Sequence, residues 1–599
     1  MKDDLNQGVS IHAKRCFAPP ISLESPVPVL NSDIARCLEK LADLIELEGG
    51  NPFRTRAYRN AARVVGELPR SVAAMTAAGE DLAELPGIGK DLADKIETLA
   101  ETGHIAVLDE MERKTPPGLL ALLDVPGLGP KRVRLLYDRL GIRTLADLAT
   151  AAKSGKIREL PGFGEKTEKR ILEEAEKRAG VVPRIKRPVA EDVAEPLLRY
   201  LRAAKGVSQA AVAGSYRRHK ETVGDLDIVV AATHGPEIVD RFVAYEDVGQ
   251  VLARGPTRSS VVLRNGMQVD LRVVSAANYG AALMYFTGSK PHNIALRGIA
   301  AARGLKLNEY GLFDGTRRVA ARTEEEIYRV FGLPYIEPEL REDHGEIEAA
   351  RRGKLPYLVT LADIRGDLHA HTTESDGRAS LIDMVQAARQ RGYSYLAISD
   401  HSKRVTVAHG LDAKRLALQI DEIARLNETL SSFTVLSSVE VDILEDGRLD
   451  LPNDILARLD FAVGAVHSAF DLPRDQQTTR LLKAMDNSHI AVLAHPTGRL
   501  IEERTGYDID MERLLAGTRE RGCAVEVNGQ PDRLDLNEWH GKLAKEMGVK
   551  LVLSTDAHSV AELGFMRYAV DQARRGWLEP TDIINTCDLP GLREVLRRS

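Results

Sequence analysis

The chain has 599 residues, 43% hydrophobic and 28% charged, and its 82 basic and 88 acidic side chains leave a net charge of −6. That is the make-up of a globular protein of about four compact units, and it excludes a mostly disordered chain, a collagen or a low-complexity protein. Taken in bulk, the acidic balance argues against a protein dedicated to nucleic acid.

In chain order, residues 1–28 hold Pro19, Pro20, Pro26 and Pro28 with little periodicity and read as an irregular tail. No apolar stretch follows the early lysines, so a signal peptide is not expected, and no run of about 18 apolar residues announces a membrane span. The four cysteines, Cys16, Cys37, Cys523 and Cys587, are scattered, which excludes a disulfide scaffold and points to a reducing cytosol. A helix is expected from Asn31 or Ser32, with Leu38, Leu41, Leu44 and Leu47 on one face. Residues 51–190 look helical, broken by Pro-Gly pairs. They hold 25 Lys and Arg against 20 Asp and Glu, a local surplus of +5 that leaves −11 for the remainder. Strand-like runs follow: LDIVVAA (226–232), SSVVLR (259–264) and QVDLRVV (268–274). Residues 281–340 look mixed, and 341–362 read as a polar helical linker. After Asp363, apolar runs such as LAISD, FTVLSSVEV, FAVGAV, IAVLAH, CAVEVN and KLVLSTD alternate with helices, predicting βα units around a parallel sheet or barrel.

One pattern occurs three times: LPGIGKDLADKI (85–96), VPGLGPKRVRLL (125–136) and LPGFGEKTEKRI (160–171). In each, a glycine pair (Gly87 and Gly89, Gly127 and Gly129, Gly162 and Gly164) allows a sharp turn before a helix. The free N–H groups at that helix start make a sequence-independent phosphate site. A single copy reads as a plain helix break. Three copies in a basic segment resemble the helix-hairpin-helix DNA-binding element. Lys95 in the first repeat is a candidate amine nucleophile. Its plainer reading, favoured on the residues alone, is a surface lysine paired with Asp91 at i,i+4.

The segment GSYRRHKETVGDLDIVV (214–230) carries more chemistry. Asp225 and Asp227 share one side of a strand, a spacing that suits two Mg²⁺ ions for phosphoryl transfer. Asp270, in the next strand-like run, is a candidate third carboxylate. Gly214 and Ser215 offer bare backbone and a hydroxyl to a phosphate, and Arg217 and Arg218 offer charge. A lone Asp-x-Asp would read as a solvated strand end. The Gly-Ser turn eleven residues earlier favours a nucleotidyltransferase. With YFTGSKPHNIALR (285–297) and the hairpins, the chain from about 30 to 340 resembles the family X DNA polymerases, the family of DNA polymerase beta.

The resemblance implies that Asp225, Asp227 and Asp270 hold the metals, and that Gly214, Ser215 and Arg218 hold the incoming triphosphate. It puts Tyr285, Phe286 and Gly288 beside the nucleotide sugar, Asn293 at the base and Arg297 at the template strand. It makes Lys95 the Schiff-base lysine of 5′-deoxyribose-phosphate removal. The chain departs from the animal enzymes at Gln268, where they carry Arg, at Lys90 and Asp91, and by its third hairpin.

Nine of the fifteen histidines lie between 363 and 558. His369 and His371 share a strand face. Asp376, His401, Glu440, His467, His495, Asp556 and His558 follow, almost all at the C-terminal ends of strand-like runs, where βα barrels place reactive residues. Such mixed ligands suit Mn²⁺, Zn²⁺ or Fe²⁺ better than Ca²⁺. His489 and His540 read as structural. Arg404 and Arg499 follow ligand motifs; exposed surface arginine is the favoured reading of each, phosphate contact the alternative. Residues 361–599 resemble the PHP domain, a metal-dependent phosphoesterase, and match all nine of its ligand positions for up to three Mn²⁺ or Zn²⁺ ions.

The expectation is therefore a multidomain chain. An α-helical helix-hairpin-helix N-terminal region comprises a lyase-like domain (29–115) and fingers (116–187). An α+β nucleotidyltransferase palm (188–282) and thumb (283–340) follow. A linker (341–362) leads to a C-terminal α/β PHP distorted (β/α)7 barrel (363–599). The expected function is a repair polymerase filling short gaps with dNTPs, using two Mg²⁺. Its PHP half would act as a 3′→5′ exonuclease, 3′-phosphatase or abasic-site endonuclease. The implied partners are gapped or nicked DNA and no membrane, and the implied setting is a monomer in the bacterial cytosol, associated with the nucleoid. Alternatives are a non-synthesising DNA platform, a small-molecule phosphatase and a template-independent transferase.

Overall fold

The leucine face builds the first helix, Asn31–Leu47, with Leu38, Leu41, Leu44 and Leu47 buried. In this computed structural model the described residues are 31–598 except 69–71, 78, 86, 103, 116–117, 124, 126 and 180–183. The tail expected over 1–28 lies outside them. The chain divides into two compact units, one ending at Lys114 and the other starting at Thr115. No helix among the described residues is long and apolar enough to cross a membrane.

In the first unit, the helices Asn31–Leu47, Pro52–Glu67 and Lys90–Thr102 bury Ile34, Tyr58, Val65, Ile96 and Leu99. Asn31 Oδ1 accepts from the N–H of Val72 at 2.8 Å.

The second unit opens with four helices, Gly118–Leu123, Pro130–Leu140, Leu145–Lys153 and Glu165–Ala179. A five-stranded sheet follows, in the order Val207–Val212, Asp225–Ala232, Gln268–Val274, Arg258–Leu263 and Val248–Arg254. Its second and third strands pair in parallel and its other three pairs are antiparallel. Leu226, Ile228, Val230, Val269, Leu271 and Val273 face the helices Arg187–Arg202 and Gly235–Val243 to form its core. Period-two alternation leaves Asp225, Asp227 and Asp270 on the other face.

The helices Tyr279–Thr287 and Lys290–Ala302 and a small antiparallel sheet form the next layer. Residues 341–362, expected as a polar linker, pack onto this layer. Ile347, Ala350 and Leu358 join its core, and the fully buried Arg341 pairs with Glu324 at 2.6 Å.

The C-terminal part has parallel sheets of three and five strands. Isolated bridges connect them, His401 to Glu440 on one side and Ala370 to Ala557 on the other. The strands thus follow one another in a ring, Gly366–Asp367 beside the end of Lys550–Ser554, without a continuous closed ladder among the described residues. Their apolar runs are buried on both faces, as parallel strands covered by helices require.

Candidate functional site

Two polar centres stand on these sheets. At the first, Asp227 lies directly opposite Asp270 in parallel register, and Asp225 precedes it on the same face. Burial, then the Asp225 and Asp270 charges, push the Asp227 carboxyl up to about 7; burial and Asp270 also raise Asp225. Such crowded oxygens are what a hard divalent cation relieves, so these residues fit Mg²⁺. Ser260 donates to Asp270 Oδ1, and Gln268 Nε2 donates to Oδ2 at 2.9 Å. Gln268 therefore supplies a neutral donor.

A cavity of about 490 Å³ opens here, lined by Gly214, Ser215, Arg218, Asp225 and Asp227 on one side. Tyr285, Phe286, Gly288, Asn293 and Arg297 line the other, joined by Arg184 and Lys290. Gly214 has φ +60°, and a Cβ there would meet Asp227 Oδ2 at 2.6 Å, so the turn needs glycine. Asn293 Nδ2 donates to the Tyr285 carbonyl at 2.7 Å. Arg217, expected to supply charge beside Arg218, is not brought to the cavity. It donates to Glu324 at 2.9 and 2.6 Å and to Thr287 Oγ1 at 2.7 Å. Arg217 is the last residue of the short helix Gly214–Arg217 and Arg218 is its C-cap, so the two face different sides, and Glu324 captures Arg217.

At the second centre the nine candidate ligands converge. Glu440 Oε2 is 2.7 Å from His401 and 3.6 Å from His369, while Oε1 is 2.8 Å from His495 and 3.2 Å from His467. Asp556 lies 3.1 Å from His371, and Asp376 lies 3.3 Å from His558 and 3.6 Å from His401. Three overlapping groups each have ligand atoms within 4.8 Å of one another. These are His371, Asp376, His401 and His558; His369, His371 and Asp556; and His401, Glu440 and His467. His369 Nε2, His401 Nδ1 and Glu440 Oε2 are buried without a hydrogen-bond partner, and a bound metal would satisfy them. The residues fit up to three metals of borderline softness.

Burial raises the Glu440 carboxyl, but the surrounding His401, His467 and His369 hold it well below its usual range. Burial, then the neighbouring His558 and His401, push His371 down to about 3, which leaves it a neutral ligand. His495 and Asp556 sit at φ +24° and +53°, uncommon for such residues and frequent at functional sites.

The sequence reading missed the residues that orient this centre. Glu526 Oε1 is 2.7 Å from His369 Nδ1, and its Oε2 accepts from the His495 N–H at 2.7 Å. Asn528 donates to Asp556 at 3.1 Å, and Asp442 lies 3.1 Å from His467 Nδ1. The available signal was spacing: Asp442 follows Glu440 by two on one strand, and Asn528 follows Glu526 by two on another. Arg404 is exposed, whereas Arg499 is mostly buried and donates to Glu221 at 2.7 Å.

In the hairpins, Gly87, Gly127 and Gly162 all have positive φ, and Gly89, Gly129 and Gly164 each stand just before a helix. Lys95 lies on the helix Lys90–Thr102 and pairs with Asp91, and its Nζ also donates to the Asp91 carbonyl at 3.1 Å.

Comparison with known proteins follows the same division. Family models match at residues 29–105 (helix-hairpin-helix domain), 119–177 (SAM-like helix-hairpin-helix tandem), 282–342 (DNA polymerase beta thumb) and 367–528 (PHP domain). DNA polymerase lambda of Rattus norvegicus is 25% identical over 343 residues, 52% of this chain and 56% of the relative. A probable phosphatase of Thermoanaerobacter sp. (strain X514) is 28% identical over 242 residues, 39% of this chain and 94% of the relative. These matches describe a polymerase of the beta type joined to a PHP phosphoesterase. The DNA polymerase/3′-5′ exonuclease PolX of Bacillus subtilis (strain 168) is 39% identical over 572 residues, 95% of this chain and 99% of the relative. The chain belongs to this family, the family X DNA polymerases with a C-terminal PHP domain.

Proposed function

We propose that the chain extends a primer 3′-OH across short gaps in DNA and processes 3′ ends with its C-terminal half. In the first reaction Asp225, Asp227 and Asp270 hold two Mg²⁺. Gly214, Ser215 and Arg218 receive the dNTP triphosphate, Tyr285, Phe286 and Gly288 border the sugar, and Asn293 and Arg297 meet the base and the template. The glycine turns at 87–89, 127–129 and 162–164 hold DNA phosphates. In the second reaction His369, His371, Asp376, His401, Glu440, His467, His495, Asp556 and His558 hold Mn²⁺ or Zn²⁺. Metals in these sites supply charge neutralisation and Lewis acidity for phosphoryl transfer and phosphodiester hydrolysis. The protein works as a monomer in the bacterial cytosol.

The observation that carries this reading is the placement of three carboxylates beside a cavity lined by Gly214, Ser215 and Arg218, together with nine convergent candidate ligands at the strand ends of the two C-terminal sheets. The test is a gapped-duplex assay with Mg²⁺ or Mn²⁺. Asp225→Ala should abolish extension and spare degradation, and His369→Ala should do the reverse. Loss of both activities in either variant, in a folded protein, overturns the assignment.

A further inference from the structure

The loop that carries Arg218 is gripped by a side chain from the far end of the chain. Arg575 ends the helix Met566–Arg575 and its side chain is 1% exposed. Its Nη1 donates to the Arg218 carbonyl at 2.6 Å. Both Nη atoms lie 3.3 Å from Glu342 Oε1, and Nη2 donates to Glu538 at 2.7 Å. The same Glu342 oxygen accepts from Arg218 Nε at 3.0 Å. Arg575 thus holds Arg218 twice, once by its main chain and once through the carboxylate its guanidinium leans on. Lys220, two residues on, donates to Glu538 at 3.0 Å and completes the cluster.

We propose that Arg575 is a positioning residue for nucleotide addition: it fixes the Arg218 main chain and shares Glu342, so that the Arg218 guanidinium faces the triphosphate. The charges give the reason. Arg218, Lys220 and Arg575 face Glu342 and Glu538, three cations against two carboxylates, leaving one positive charge beside the cavity. Without Arg575 the cluster is neutral, and Glu342 competes fully with the triphosphate for Arg218. Fixing the main chain also removes orientational freedom that nucleotide binding would otherwise have to quench. Arg575 contacts none of the nine C-terminal candidate ligands in the bonds it makes.

This inference rests on the reading of Ser215 and Arg218 as the triphosphate site, and the experiment separates the two. Steady-state extension of a gapped duplex is measured for the full chain and for Arg218→Ala, Arg575→Met and Arg575→Lys, alongside 3′→5′ hydrolysis and Tm. Arg575→Met should raise KM for dNTP about tenfold with kcat within about twofold, the pattern of lost nucleotide binding. Arg575→Lys keeps the charge but not the fork, and should raise KM only about threefold. Hydrolysis should be unchanged in both. If Arg218→Ala raises KM and neither Arg575 variant does, the positioning role is overturned alone. If KM is flat in Arg218→Ala as well, the triphosphate reading falls and this role with it. If Arg575→Met unfolds, the lysine variant decides. A parallel loss of kcat, hydrolysis and Tm in that variant marks Arg575 as merely structural.

Discussion

Glu526 Oε1 lies 2.7 Å from His369 Nδ1, buried behind the cluster of nine candidate ligands. That contact fixes which ring nitrogen of His369 carries the proton and turns Nε2 toward Glu440 and Asp556. Glu526→Gln should lower metal affinity or exonuclease rate by roughly 10–100-fold. Titrating hydrolysis with Mn²⁺ checks this, and extension by the same variant should be untouched.

Gly214 offers a sharper test of the first centre. Its φ of +60° and the 2.6 Å approach of Asp227 Oδ2 leave no room for a methyl group. Gly214→Ala should cost about 1–3 kcal/mol in strain at the turn, seen as a roughly 5–160-fold loss in kcat/KM for dNTP addition. Hydrolysis by the C-terminal half is the internal control.

Metal binding should also register as stability. A ligand that binds only the folded state at about 100 times its Kd adds about 2.7 kcal/mol. Saturating Mn²⁺ should therefore raise the Tm of the wild type after chelation. In Asp556→Ala, which loses a carboxylate 3.1 Å from His371, the rise should shrink or vanish.

The buried Glu324 predicts an acid limit. Burial raises its carboxyl, but Arg341 and Arg217 outweigh that and hold it down at about 2, against an ordinary 4.5. A depressed folded value means that the stabilisation is complete above about 4.5 and is lost as pH falls through about 2. Unfolding followed from pH 6 to pH 2 should show that loss. Glu324→Gln should flatten the profile and cost about 3–5 kcal/mol, because Arg341 is left buried without its partner.

Lys95 is tested by chemistry. A Schiff base with a 5′-deoxyribose phosphate is trapped by borohydride as a stable protein–DNA adduct. Lys95→Ala should abolish that adduct in the wild-type background. An adduct that persists assigns the lyase step to another amine or denies it to Lys95.

Asp225 and Asp227 were legible because one strand and a period of two suffice to put them on one face. Asp270 was not legible from spacing alone; its place depends on which strand lies beside Asp225–Ala232 and in what register. The nine candidate ligands stood out because six of them are imidazoles gathered at the ends of apolar runs. Their orienting partners did not, since Glu526 and Asp442 look like ordinary strand-end acids until the ring is assembled. Arg217 was misread because two neighbouring arginines look equivalent in sequence but point apart where the helix Gly214–Arg217 ends, Arg217 as its last residue and Arg218 as its cap. The Arg499–Glu221 pair spans 278 residues, and no local pattern encodes such a contact.

The bridge between Ala370 and Ala557 brings together strands at opposite ends of the C-terminal half. On the ribosome this sets an order of events. All five strands of the first sheet are made by residue 274, whereas Asp556 and His558 are added only after the strand Lys550–Ser554. A nascent chain halted before them carries Asp225, Asp227 and Asp270, but it lacks Asp556 and His558 of the candidate metal centre and also the Arg575 that grips the Arg218 loop. Premature termination there therefore leaves the candidate metal site incomplete and the Arg218 loop without its clamp at the same time.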